Sequence, residues 1–439
     1  MKEKPKFLII GAGLVGALMG HYLKQLNIDF RIFEKRPDPR INKLDAGRSI
    51  NLALSHRGIH SLEKVGLKEK VMAIALPMVG RMVHEESGKS QLQKYSQSGK
   101  QIYSVSRAEL NRILLDSLPD EQVLFEHELK SLKNKTAEFI GNDSIRLEGF
   151  DFVIGSDGAN SVVKEFIPGN QFEVEMLGHG YQEFHVNAID NEWAIENNAL
   201  HIWPQHQHML IALPNPDKSF TGTLFLQHEG HQASFSKLKT NGDYGDFFQK
   251  YYPSALKLIG DVEKQGQLHP IGVLGTGYNS CWADEDKLLI GDAAHSIVPF
   301  YGQGMNAGFE DCRLLSEFIN NCRGDISLAF RQFFVSRKKD ADAIAQMALQ
   351  NFLEMRDGVT NPDYLRYREI EKVIQKHLGD TWVPRYGMVT FSDIPYAVVY
   401  QRSLMQDAIL KELNACADCD QIISGGVLSR EHLDLIQNK

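Results

Sequence analysis

Apolar and polar positions change period several times along the chain, and each change predicts an element. Lys6–Ile10 is a short apolar run of strand character, followed by a glycine loop over Gly11–Gly16. Leu18, His21, Tyr22, Leu23 and Leu26 then recur at helical spacing within Ala17–Leu26, and Asp29–Glu34 returns to strand alternation. Strand, glycine turn, helix and strand in that order form a βαβ unit and predict a parallel sheet. Further buried-type strands are expected at Asp151–Gly155 and Lys287–Ile290. Between about 180 and 270 the runs are short and rich in β-formers: 181–186, 199–203, 208–213 and 222–227. This stretch reads as an antiparallel sheet. From Asn306 onward a 3.6-residue period dominates, with Phe309, Cys312, Leu315, Phe318 and Ile319 on one face, and 329–356 reads as a long helix without proline.

The glycine loops and their strands lie far apart in sequence, so the expected α/β fold is assembled from separated pieces. Residues 1–76, 105–180 and 275–320 are assigned to a Rossmann-like nucleotide-binding domain. Residues 77–104 and 181–274 are assigned to an inserted antiparallel sheet that holds substrate, and 321–439 to a C-terminal helical region.

Composition narrows the function. Among 439 residues, 43% are hydrophobic and 24% charged, which suits a globular chain and not a disordered or collagen-like one. The formal net charge of −8 supplies no basic field, so a general nucleic-acid partner is not expected. Five cysteines are too sparse and too odd in number for a disulfide scaffold, and Cys416-x-x-Cys419 has no second ligand pair following it to complete a zinc site. No run of 18 apolar residues predicts a membrane span or anchor, and the start of the chain lacks a cleavage site, so the expected location is the cytoplasm.

Three glycine motifs carry the chemistry. Gly11-Ala-Gly13-Leu14-Val15-Gly16 opens a helix directly after a strand, where a helix N-terminus faces a pyrophosphate. Glu34 ends the next strand, where a carboxylate accepts hydrogen bonds from a ribose; it would repel a 2′-phosphate despite Arg36, which favours NAD or FAD over NADP here. The second motif, Gly155-Ser-Asp157-Gly-Ala-Asn-Ser161, and the third, Gly291-Asp292-Ala-Ala-His295, each follow a predicted strand. Asp292 is positioned for ribityl or pyrophosphate-side hydroxyls. The loop Gly302-Gln-Gly304-Met305-Asn306 offers backbone N–H groups, at a helix start, to a flavin pyrimidine.

Together these motifs resemble the one-component flavoprotein aromatic hydroxylases, which carry an FAD domain of glutathione-reductase type. Arg107, within Ser-Val-Ser-Arg-Ala-Glu-Leu, fits that family's arginine near the flavin. Within the family, the segments Arg48–Gly58, Gly80–His84, His201–Pro204, Gly291–Cys312, Asn351–Arg356 and Tyr386–Ser392 are similar to members that hydroxylate kynurenine, with Tyr301 standing where a phenylalanine is expected. The absence of a C-terminal anchor suits the soluble bacterial members. The resemblance implies non-covalent FAD, with further cofactor contacts at Lys35, Arg36, Arg48, Ala53 and Leu129. NADPH would bind transiently in a groove, and O₂ would react through a flavin C4a-hydroperoxide to convert L-kynurenine to 3-hydroxykynurenine. The substrate carboxylate would meet Arg81, with hydrogen bonds from Tyr95, Asn351 and Tyr386. No protein base is implied, and His295 is read as structural. His201, His206 and His208 lie on separate faces, and no metal is expected. The alternative function is hydroxylation of another aromatic acid or phenol.

Overall fold

The computed structural model describes residues 5–41, 51–85, 87–96, 99–141, 144–230, 233–357 and 362–437. Arg48, expected at the cofactor, lies outside them.

Strand Lys6–Ile10 is central because its side chains are apolar on both faces; Phe7, Leu8 and Ile9 are fully buried. It pairs in parallel with Asp29–Phe33 on one side and Phe152–Gly155 on the other. Lys287–Leu289 and Val123–Leu124 complete a five-stranded parallel sheet in the order 287–289, 152–155, 6–10, 29–33, 123–124. The first helix, Leu14–Gln25, begins three residues earlier than its apolar spacing suggests, directly after the N-cap Gly13. Gly11 has φ +100°, and a Cβ on Gly16 would stand 1.9 Å from the carbonyl oxygen of Gly11, so the loop and helix close on each other only as glycines.

A seven-stranded sheet stands apart from this one. Its core strands, Phe172–Val186, Ala199–Gln205, His208–Pro214, Phe220–Gln227 and Ile271–Asn279, pair antiparallel. Gly80–His84 joins it in parallel beside Ala199–Gln205, and Ser90–Lys94 forms the edge. Leu76–Met78 and Asn51–Leu54 instead flank Ile102–Ser106, each pairing with it antiparallel, in a small three-stranded sheet that leads into helix Arg107–Asp116. That helix starts on a serine N-cap, in which the Ser106 hydroxyl accepts from the Glu109 N–H.

The expectation of sheet throughout 180–270 is corrected beyond Gln227. Four short helices, Phe235–Asn241, Tyr244–Tyr251, Pro253–Ile259 and Val262–Leu268, cover one face of the large sheet. Tyr244, Phe247, Phe248, Tyr252, Ala255 and Ile259 recur at three- and four-residue intervals and are buried there. Aromatic β-formers at helical spacing bury equally well in short helices, because packing overrides propensity. Helices Gly304–Asn321 and Ile326–Asp357 follow the third glycine motif, and Arg385–Phe391 and Tyr396–Ala415 pack back against them. Among the described residues, no helix is long and apolar enough to cross a membrane.

Candidate functional site

The three glycine motifs converge at the C-terminal edge of the parallel sheet, where such folds bind nucleotides. Ser156 Oγ donates to the carbonyl oxygens of Ile10 and Gly11 (2.9 and 3.1 Å), tying the second motif to the first. Val15 packs against Gly291 and Gly308, tying the first to the third. A Cβ on Gly13 would meet nothing within 4 Å, so the space in front of the first loop is open, as a pyrophosphate requires.

Two carboxylates border this groove. Asp157 Oδ2 accepts the Val162 N–H (2.7 Å), while its buried Oδ1 has no hydrogen-bond partner among the described residues. Burial raises its pKa against the hydrogen bonds from Ser161 and Val162. Asp292 is surrounded by protein and yet exposed, as a side chain on a groove wall is; burial raises its pKa, with His295 and Arg107 opposing. Arg107 therefore faces the same space from the start of its own helix. A Cβ on Gly304 would lie 3.9 Å from Asp292 Oδ1, which sets the N-terminus of helix Gly304–Asn321 against the same wall. Asn306 closes the loop: its Nδ2 donates to the carbonyls of Ala53 and Gly302 (both 2.8 Å), and its Oδ1 accepts the Ser55 N–H (2.9 Å). Met305 is packed against the core beside it. An open loop at Gly13, an unmatched buried acceptor on Asp157 and a helix N-terminus are the donor and acceptor set a dinucleotide with a flavin needs.

Two residues expected at the cofactor have their side chains committed within the protein. Glu34 is already engaged: it accepts the Ala12 N–H (2.9 Å), the Arg36 N–H (3.0 Å) and the Arg36 guanidinium (2.8 Å). Burial opposes its charge, yet these bonds lower its pKa. A ribose there would have to share Glu34 with the exposed Arg36. The side chain of Leu129 is buried in the hydrophobic core, so that residue offers the groove no side-chain group. Lys35 is exposed.

A second group of residues meets where the large sheet faces the C-terminal helices. Arg81 lies on Gly80–His84, and Tyr95 follows the edge strand. Tyr386 comes from helix Arg385–Phe391 and stacks on Tyr95, with ring centroids 5.1 Å apart. The Arg81 guanidinium lies 4.7 Å from the Tyr386 ring and 5.7 Å from the Tyr95 ring. Tyr301, from the turn before the flavin loop, stacks on Tyr386 at 5.7 Å. Burial works against the Arg81 charge, but the phenols of Tyr386, Tyr95, Tyr364 and Tyr301 outweigh it, and its pKa is raised. Among the described residues, no carboxylate pairs with Arg81. Asn351 is one step removed: its Nδ2 donates to the Phe300 carbonyl (2.8 Å) and so pins the turn bearing Tyr301 to helix Ile326–Asp357. Arg385 locks Tyr386's helix to the same long helix through an ion pair with Glu354 and a hydrogen bond to Gln350 (3.0 Å).

Tyr301 and the Arg385–Glu354 pair were missed as site residues. Tyr301 had a signal, since it departs from the expected phenylalanine. The Arg385–Glu354 pair had none, being two ordinary charges 31 positions apart.

This combination, a discontinuous FAD-type groove beside a cation-and-phenol chamber on a separate sheet, defines a flavoprotein hydroxylase. The FAD binding domain family matches residues 4–325. The chain is similar to kynurenine 3-monooxygenase of Cytophaga hutchinsonii, 42% identical over 429 residues and 95% of each chain. It is 37% identical to the protein of that name from Flavobacterium johnsoniae over the whole of each chain, and 41% identical to that of Xanthomonas oryzae pv. oryzae over 92% of this chain and 91% of that one. The fold is also that of Klebsiella pneumoniae HpxO, solved with FAD and uric acid (TM-score 0.67, 19% identity, 96% of this chain and 97% of that one). The tetrameric form of 2-methyl-3-hydroxypyridine-5-carboxylic acid oxygenase matches with the same TM-score at 16% identity, over 83% and 96% of the two chains. The chain belongs to the kynurenine 3-monooxygenase family. It is a flavoprotein monooxygenase whose cofactor is FAD.

Proposed function

We propose that the protein hydroxylates L-kynurenine at the ring carbon ortho to its amino group, using NADPH and O₂, in the cytoplasm. The observation that carries the substrate reading is Arg81, a cation enclosed by phenols and, among the described residues, without a carboxylate of its own. An amino-acid carboxylate completes that enclosure with two charge-assisted hydrogen bonds. The stacked Tyr95 and Tyr386 rings give an apolar wall for the aniline ring and hydroxyls for the polar head. Asn351 commits its amide N–H to Phe300 and offers the substrate its Oδ1, an acceptor suited to the α-ammonium group.

In this reading FAD lies along Gly11–Gly16, Asp157, Arg107, Asp292 and Gly304–Asn306, and when bound supplies the redox chemistry and oxygen activation. The chain's own part is placement and exclusion of water. Arg81 anchors the carboxylate, the tyrosine stack orients the ring toward the groove, and Tyr301 joins substrate chamber to cofactor loop. The substrate amino group donates electron density to its own ortho carbon, so no protein base is needed for ring attack. The test is NADPH oxidation against a panel of aromatic amino acids and phenols, with product mass measured. Kynurenine should stimulate oxidation and gain one oxygen; stimulation only by a phenol or a benzoic acid would transfer the assignment to that substrate.

A further inference from the structure

His56 and His60 stand one turn apart on helix His56–Lys64, and Asp393 reaches them from the link between helices Arg385–Phe391 and Tyr396–Ala415. His56 Nε2 lies 2.8 Å from Asp393 Oδ2, and His60 Nδ1 lies 3.2 Å from the same oxygen. One ligand atom from each residue falls within 4.8 Å of the others. The three line a surface depression with Ile59, Glu63 and Lys68, and all three remain accessible to solvent.

We infer that these residues form a binding site for a divalent transition-metal cation, Zn²⁺ in particular, with two imidazoles, one carboxylate and an open position for water. Histidines at i and i+4 present their nitrogens on one helix face, the spacing that lets two imidazoles share one ion. Zinc bonded at roughly 2.0–2.2 Å to its nitrogens and oxygen in a tetrahedron holds its ligands about 3.4 Å apart, so the observed separations need only slight widening. As surface hydrogen bonds, two imidazoles converging on one oxygen stabilise little. The positive groups nearby are already matched: Lys68 pairs with Glu63 (2.8 Å), and Arg313 pairs with Glu317 (2.9 Å) and Glu310 (3.4 Å) while standing 3.8 Å from Asp393 Oδ1, the other carboxylate oxygen. The donor set is too nitrogen-rich for Mg²⁺ or Ca²⁺.

The position gives such an ion a lever. Ser55, next to His56, donates its N–H to the cofactor-loop residue Asn306, and Asp393 follows two residues after the helix that carries Tyr386. A bound cation clamps those two segments together. This inference does not depend on the identity of the aromatic substrate.

The experiment is calorimetric titration of the FAD-loaded protein with Zn²⁺ at neutral pH. It is done on a Cys416→Ser chain, because Cys416, Asp418 and His432 form a second group of possible ligands. One equivalent should bind, with affinity unaltered by excess Mg²⁺. His60→Ala and, separately, Asp393→Asn should each weaken binding about tenfold or more, with flavin content and melting temperature confirming that the variants are folded. Absence of a Zn²⁺ equivalent, displacement by Mg²⁺, or unchanged affinity in both folded variants would overturn the site.

Discussion

Two charged interiors flank the turn that leads into helix Gly304–Asn321, and they are built on opposite terms. Behind the helix, Asp311 is satisfied from every side: Arg337 Nε donates to Oδ1 (2.6 Å), the Gly291 N–H donates to Oδ2 (2.9 Å), and His295 Nε2 lies 2.6 Å from Oδ2. Glu310 is held by Arg57 (2.5 Å) and Arg337 (2.7 Å), and Arg57 also lies over the Tyr396 ring at 3.9 Å. On the other side, Arg81 has phenols around it and, among the described residues, no acid paired with it. A cluster whose charges are matched within the chain has nothing left for a ligand; it fixes backbone, here Gly291 and the turn bearing Asp292. A charge matched only by aromatic faces keeps its donors for something that arrives. Burial and ion content alone therefore do not separate scaffold from site; the separation comes from whether every charge is answered.

The largest effect should come from opening the closed cluster. Asp311→Ala leaves Arg337 without one of its acids in the interior, and breaking a buried pair of this kind costs about 3–5 kcal/mol. Thermal melting should fall steeply and FAD content with it. An unchanged melting temperature would mean that the cluster is not a closed unit. The same group sets an acid limit. Burial opposes the Asp311 charge, but His295 and Arg337 hold its pKa below the ordinary 3.8. Its contribution to stability is complete above that ordinary value and drains away as pH falls through the depressed one. Acid unfolding followed by tryptophan fluorescence should lose part of its slope in Asp311→Asn.

Arg81→Ala is the opposite experiment. Flavin content and melting temperature should stay near the parent's, while kynurenine binding weakens by about 2–4 kcal/mol, the loss expected for a desolvated charge-assisted pair. Equilibrium titration of the oxidised flavin's absorbance reads it directly. Affinity within twofold of the parent would remove Arg81 as the carboxylate anchor and end the contrast drawn above.

Tyr386→Phe keeps the ring stack and removes one hydroxyl, an expected change of about 1 kcal/mol or less in binding. Its sharper readout is coupling, because oxygen transfer tolerates less misplacement than reduction by NADPH. The ratio of hydroxylated product to NADPH consumed should fall and hydrogen peroxide should rise. An unchanged ratio at saturating kynurenine would take Tyr386 out of the chamber.

The smallest expected effect is a flat line. Burial, foremost, pushes the Tyr95 and Tyr301 phenols above their ordinary range, so they stay neutral, and Arg81 stays charged. Kynurenine affinity should then be constant from about pH 5 to about pH 7, below the titration of the substrate's own α-ammonium group and within the span where a substrate carboxylate and an arginine both keep their charge. A titration step in that window would point to a histidine or carboxylate acting at the substrate head.

Local pattern was enough for the βαβ start, the glycine loops and the long helix Ile326–Asp357, because each is decided by residues within a turn or two of one another. The stretch 235–268 was misread for the same reason in reverse: its aromatics suit strand or helix locally, and only the sheet face they cover selects the helix. At the site, residue types and motif positions were legible, but not which side chains were already engaged. Glu34 has a partner in Arg36, two residues away, and Asn351 has one in the Phe300 carbonyl, 51 residues away. The contact of Arg81 with Tyr386 joins positions about 300 residues apart. It depends on the strand Gly80–His84 pairing in parallel beside Ala199–Gln205 and on a short helix held by Glu354, and neither leaves a periodic trace in the sequence. Sequence determined which chemical groups the chain carries. Tertiary packing decided which of them are answered internally and which remain for a ligand, because that balance is set by long-range neighbours in a low-dielectric interior.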